Sequence, residues 1–136
     1  MISLTEDMMI GIALIDKQHK ELIDRINTLT SMGVRSASKE ETQKTVDFLE
    51  EYVIKHFGDE ETLQKRYNYP KFESHKALHQ EFINTFAKVK EEFAENGASL
   101  KFTLELNQRI ISWIVKHVKN ADMEFGKFYA SLTNKK

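Results

Sequence analysis

The sequence predicts an all-α protein, an antiparallel up-down-up-down four-helix bundle with an extended N-terminal arm, and three observations carry that expectation. The 136 residues include one proline and five glycines, too few breakers for a fold of many short strands. Apolar residues recur at alternating steps of three and four over four separate stretches, the period of an amphipathic helix. Short segments join these stretches, and short connections make neighbouring helices antiparallel. A single domain over residues 1–136 is expected, since a chain of this size buries roughly two-thirds of the surface it exposes when unfolded.

The arm comprises residues 1–15. It shows no sustained helical period, and Ile10-Gly11-Ile12-Ala13-Leu14-Ile15 reads as an extended run packed over one end of the bundle. Helix one is placed at 16–32, with Asp16 as N-cap, a seam of Ile15, His19, Leu22, Ile26 and Leu29, and Gly33 as the stop. Helix two, 39–66, opens on Ser38 and Glu41 at capping-box spacing and carries the seam Val46, Leu49, Val53, His56, Glu60 and Leu63. Helix three, 70–95, takes Pro70 in its first turn, where the missing N–H costs nothing. Its seam runs from Phe72 through His75, His79, Phe82, Phe86 and Val89 to Phe93, and Asn96-Gly97 ends it. Helix four, 99–120, is capped by Ser99 and turns Leu106, Ile110, Trp113 and His117 inward. Phe125, Phe128, Tyr129 and Leu132 are assigned to a terminal segment folding back onto the bundle.

Composition excludes several classes of function. With 20 basic and 21 acidic residues and a net charge of −1, the chain has no field to draw in nucleic acid or an anionic membrane. No stretch approaches the ~18 apolar residues of a membrane span, and the N-terminus lacks a basic segment followed by an apolar run, so a soluble, cytoplasmic protein is expected; a monomer is the expected state. The absence of cysteine removes disulfides, thiolate metal sites and thiol catalysis. Any metal must then be held by His, Asp and Glu.

All five histidines fall on the predicted seams. If an inward stripe covers about three positions in seven, the chance of that by accident is on the order of 1 in 70. His75 and His79, four apart, project to one side of a helix at metal-ligand spacing. Taken singly, each histidine reads as a hydrogen-bonded core residue. Taken together, five imidazoles in an apolar core need partners, because an unpaired buried polar group costs about 1–3 kcal/mol. Glu60 stands four after His56 and can share its site, whereas Asp59 breaks the alternation and Glu61 points away. Asp122 follows His117 by five residues, about 140° around an ideal helix. It is either a solvated helix-end carboxylate or a ligand brought round by a widened, π-type turn.

The pattern His19, His56-x-x-x-Glu60, His75-x-x-x-His79 and His117-x-x-x-x-Asp122 resembles the hemerythrin family in its bacterial single-domain form. The surrounding words resemble it too: Ile15-Asp16-Lys17-Gln18-His19-Lys20, His56-Phe57-x-x-Glu60-Glu61 and Trp113-Ile114-Val115-Lys116-His117. The resemblance runs from about Leu4 to Phe125. It departs from the family at Leu4, near which relatives often carry a tryptophan, and at Ile114, where the family usually has leucine. It implies a cofactor of two iron ions, a non-haem di-iron centre with an oxo or hydroxo bridge. His75, His79 and His117 would hold one iron, His19 and His56 the other, with Glu60 and Asp122 bridging. One coordination position then stays open, on the iron with two histidines, and dioxygen would bind there in an apolar pocket including Ile114 and Phe57.

The function so implied is reversible O2 binding for storage, delivery or sensing, not catalysis. Oxygen-activating di-iron bundles use Glu-x-x-His repeats, and none occurs here. Two alternatives compete: a di-iron enzyme acting on peroxide or nitric oxide, and an oxygen-sensing module in which binding changes the arm and a separate protein partner reads it. A metal-free structural bundle leaves seven ligand-type residues without a role.

Overall fold

The computed structural model describes residues 8–34, 38–97 and 100–133. Three helices, α1 (Ala13–Val34), α2 (Lys39–Arg66) and α3 (Phe72–Asn96), are followed by a helical column over residues 100–133. Within that column α4 (Leu100–Glu105), α5 (Ser112–His117) and α6 (Met123–Thr133) alternate with two π-helical segments, Leu106–Ile111 and Val118–Asp122. Each helix packs on the next, α1 on α2 and α2 on α3, while α4 touches both α3 and α1, so the column closes a four-helix bundle. No strand occurs among the described residues.

Helix ends follow from local chemistry. The Ser38 hydroxyl accepts from Glu41 N at 3.1 Å, capping α2 as expected. Gly97, at φ 70, turns the chain at the end of α3, and its N–H donates to Phe93 O at 2.7 Å. Ser99, the expected cap of the fourth helix, and Leu4 lie outside the described residues.

Several predicted boundaries move. Helix one begins at Ala13, not at Asp16, and passes Gly33 to end at Val34. Asp16 lies inside the first turn and its carboxylate reaches back, accepting from Ile10 N at 2.8 Å and Gly11 N at 3.1 Å. It ties the arm to the helix where Gly11, at φ 87, bends the chain. Helix three begins at Phe72, because Pro70 sits in a turn closed by Phe72 N donating to Tyr69 O at 3.1 Å. The fourth column does not end near residue 120. Nothing in 120–133 interrupts helical backbone, so α6 continues straight on instead of folding back.

The core is in two parts. The larger cluster runs through Leu22, Ile26, Val53, Phe57, Phe82, Phe86, Ile110 and Ile114, and the smaller contains Ile10, Ile12, Ile15, Tyr69 and Phe125. Along each of the four columns of the bundle the boundary between them is polar. Ile15 and Leu22 flank His19, Phe57 and Leu63 flank Glu60, Tyr69 and Phe82 flank His75 and His79, and Val118 and Phe125 flank Asp122. Four seams in register thus set one polar layer across the bundle, closed by apolar side chains above and below. Gly126 lets the arm lie against α6, since a Cβ there would stand 2.3 Å from the Ile10 carbonyl oxygen.

Candidate metal centre

All seven residues singled out in the sequence are buried in that layer: His19, His56, Glu60, His75, His79, His117 and Asp122. They form two groups. Glu60, His75, His79, His117 and Asp122 compose one, and His19, His56, Glu60 and Asp122 the other, with the ligand atoms of each group within 4.8 Å of one another. The two groups share Glu60 and Asp122.

Asp122 reaches the layer because Val118–Asp122 is π-helical. A π-turn accommodates one residue more than an α-turn and brings positions five apart onto one face. His117 Nε2 accordingly lies 3.0 Å from Asp122 Oδ1. The other π-segment, Leu106–Ile111, carries Ile110 and Ile111, both buried in the core.

The close contacts share one distance. His75 Nε2 is 2.9 Å from Glu60 Oε1 and 2.9 Å from Asp122 Oδ1, His79 Nε2 is 3.0 Å from Glu60 Oε1, and His19 Nε2 is 2.9 Å from Asp122 Oδ2. Two ligand atoms at right angles around a metal at ~2.1 Å lie ~3.0 Å apart. The atoms are not aligned for hydrogen bonds. Nε2 of His19, His75, His79 and His117 and both carboxylate oxygens of Glu60 and Asp122 are buried without a hydrogen-bond partner. Each such orphan costs about 1–3 kcal/mol, so this concentration in one layer calls for a ligand that accepts lone pairs from all of them. A divalent metal pair with nitrogen and oxygen ligands fits that donor set.

The outer imidazole nitrogens explain why the inner ones point where they do. His56 Nδ1 pairs with Gln18 Oε1 at 2.8 Å, and Gln18 Nε2 donates to Asp59 Oδ2 at 2.7 Å. Gln64 Nε2 lies 3.0 Å from His75 Nδ1, and His79 Nδ1 lies 2.9 Å from Glu61 Oε2. Glu61 does not simply point away. It misses the space between the two groups but turns back onto the outer edge of His79. Two rings are also held by stacking, His79 on Phe57 at 3.9 Å and 5°, and His117 on Trp113 at 4.4 Å and 14°. The sequence pattern assigns no role to Gln18 or Gln64 and sets Glu61 aside. For Gln64 a signal existed, since it stands four after Glu60 on the same helix face, and the structure buries it fully.

Electrostatics within the polypeptide follow from mixing carboxylates and imidazoles in a dry layer. Burial alone would raise Asp122 and Glu60, but the surrounding imidazoles outweigh it, holding Asp122 well below the usual carboxylate range and lowering Glu60. Burial would lower His75, yet Asp122 and Glu60 push it up to about 9, and Asp122 chiefly raises His19 in the same way. His56 lacks such a contact, and burial pushes it down to about 4. Asp59 is lowered, first by the hydrogen bond from Gln18.

Beside the two-histidine group lies a cavity of about 10 Å³ lined by His19, Leu22, His56, Phe57, Trp113, Ile114, His117, Val118 and Asp122. Both expected pocket residues, Phe57 and Ile114, form its walls. It is the size of roughly one water molecule. No helix among the described residues is long and apolar enough to cross a membrane.

Comparison with known proteins agrees with this geometry. A family model described as Hemerythrin HHE cation binding domain matches residues 10–129. A bacteriohemerythrin of Methylococcus capsulatus is 29% identical over 111 residues, 82% of this chain and 82% of that protein. A myohemerythrin of Theromyzon tessulatum is 31% identical over 111 residues, 82% of this chain and 79% of its own length. A solved structure described as wild-type hemerythrin superposes with a TM-score of 0.80 at 26% identity, covering 93% of this chain and 96% of that one.

Proposed function

The chain belongs to the hemerythrin family, and from that membership and its paired ligand groups we propose that it binds dioxygen reversibly at a non-haem di-iron centre, for storage, delivery or sensing of O2. One observation carries the reading: three histidines on one side and two on the other share the same two carboxylates. His75, His79 and His117 would hold one metal ion and His19 and His56 the other, and Glu60 and Asp122 would serve both. When bound, a ferrous pair supplies the electrons that dioxygen takes up on binding and returns on release.

The chain's own residues would do the rest. Glu60 and Asp122 are anionic within the layer and offset the charge of two cations, which a dry core could not hold bare. Gln18, Gln64 and Glu61 fix three imidazoles by their outer nitrogens, leaving Nε2 of each free to hold a metal ion. The side with fewer histidines faces the small cavity, where Phe57, Ile114, Leu22 and Val118 would exclude water from a bound gas. The titratable groups lining that cavity, His19, His56, His117 and Asp122, all belong to the ligand set. None is left over as a general acid or base, which supports binding over turnover of a substrate.

Metal analysis of the purified protein followed by an anaerobic-to-aerobic absorbance titration tests the proposal. Two irons per chain and a visible charge-transfer band that appears in air and disappears under argon are expected. Zinc occupancy, or no reversible spectral change, overturns it.

A further inference from the structure

Resting on the di-iron reading above, we infer that Glu61 is a positioning residue that gives the three-histidine side of the centre its tighter hold on metal. His79 is gripped by one helix on three sides. From α2, Phe57 stacks on the ring face, Glu60 Oε1 stands 3.0 Å from Nε2, and Glu61 Oε2 stands 2.9 Å from Nδ1. Phe57, Glu60 and Glu61 are spaced i, i+3 and i+4, so one stretch of helix brings all three to a single imidazole.

The other outer partners differ in kind. His56 and His75 meet the neutral amides of Gln18 and Gln64, and Nδ1 of His19 is buried without a partner. Asp59 stands behind Gln18 at 2.7 Å, so it meets His56 through an amide and not by direct contact. Among these contacts Glu61 is the one carboxylate placed directly on a ligand histidine. A carboxylate accepting Nδ1–H makes a charge-assisted bond and increases electron donation from Nε2. At 22% exposed, the Glu61 side chain is partly shielded from the water that would weaken this effect. The two sides of the centre therefore differ both in histidine count and in the charge standing behind a histidine.

The test titrates the metal-free full-length chain, under anaerobic conditions, with Zn(II) and separately with Fe(II) against a chelating indicator. The wild type is compared with Glu61→Gln, which keeps an acceptor without the charge, and Glu61→Ala, which keeps neither. Wild type should bind two ions in unequal steps. Glu61→Gln should weaken the tighter step about tenfold and Glu61→Ala up to about a hundredfold, with the weaker step and the helix content of the metal-free protein unchanged. In the Co(II)-loaded proteins, proton NMR should show a hyperfine-shifted His79 Nδ1–H that exchanges slowly in wild type, faster in Glu61→Gln and fastest in Glu61→Ala. Both steps weakening alike, or neither changing by more than about twofold, overturns the assignment to Glu61 while leaving the di-metal reading intact. Failure of wild type itself to bind two ions overturns that reading and this inference together.

Discussion

Raising the pH of the metal-free protein from 6.5 to above 9 should remove about 3 kcal/mol of its stability, a loss that metal binding abolishes. His75 is 2% exposed, and its Nε2 lies 2.9 Å from both Glu60 and Asp122. These carboxylates push it from its ordinary 6.5 to about 9 although burial opposes them. A group raised in the folded state stabilises it fully below the unfolded value and ceases to do so as pH climbs through the folded one. Between 6.5 and 9, at about 1.4 kcal/mol for each pH step of one, the contribution is about 3 kcal/mol. His19, raised chiefly by Asp122, adds in the same direction. His56 acts oppositely. Lowered by burial to about 4, it contributes above 6.5 and loses that contribution as pH falls towards 4, so the metal-free protein should be most stable near pH 6.5. Urea unfolding of chelator-stripped protein, followed by circular dichroism across this range, measures the effect, with His75→Asn and the metal-loaded protein alongside. Flat or rising stability of the metal-free wild type between pH 6.5 and 9, or the same slope in His75→Asn, would refute the reasoning.

Gly126→Ala should lower stability by about 1–3 kcal/mol despite the ~1 kcal/mol helix gain, because its Cβ would stand 2.3 Å from the Ile10 carbonyl oxygen and lift the arm. Thermal melting checks this, and a variant as stable as wild type would show that the arm is not pressed against α6. Ile114→Ala should enlarge the cavity, cost about 2–5 kcal/mol of stability, and speed O2 release with iron content unchanged. Stopped-flow deoxygenation with an unaltered rate would remove Ile114 from the pocket. Inserting an alanine after Asn120 should carry Asp122 about 100° out of the layer and abolish binding of two metals. Deleting Lys119, which lets the π-turn close as an α-turn with His117 and Asp122 four apart, should preserve it. Metal counts with the opposite pattern would contradict the role given to the π-turn.

The seams that carry the histidines were legible because burial and helical period are tied together. His19, His56, Glu60, His75, His79 and His117 fall in the same three-four rows as core residues such as Leu22, Val53, Phe82 and Ile110, so any helix that buries the latter also turns the former inward. Helix ends were less legible. Asp16 looks like an N-cap by residue type, yet its carboxylate serves the N–H groups of the arm from inside the first turn. The aromatic residues after Asp122 looked like a segment folding back, but they complete the smaller core cluster on an uninterrupted helix.

By itself, the sequence determined four amphipathic helices, the donor types, and the layer in which most of them meet, because periodicity, breakers and the lack of cysteine are local properties of the chain. Only the tertiary structure decided that Asp122 joins His117, since that depends on a π-turn which periodicity reads as a wrong face. It also decided which nitrogen of each histidine faces inward, and that Gln18, Gln64 and Glu61 stand behind them. These residues flank the seams, and what a flanking side chain touches is set by how neighbouring helices pack, a quantity written in no single stretch of the chain.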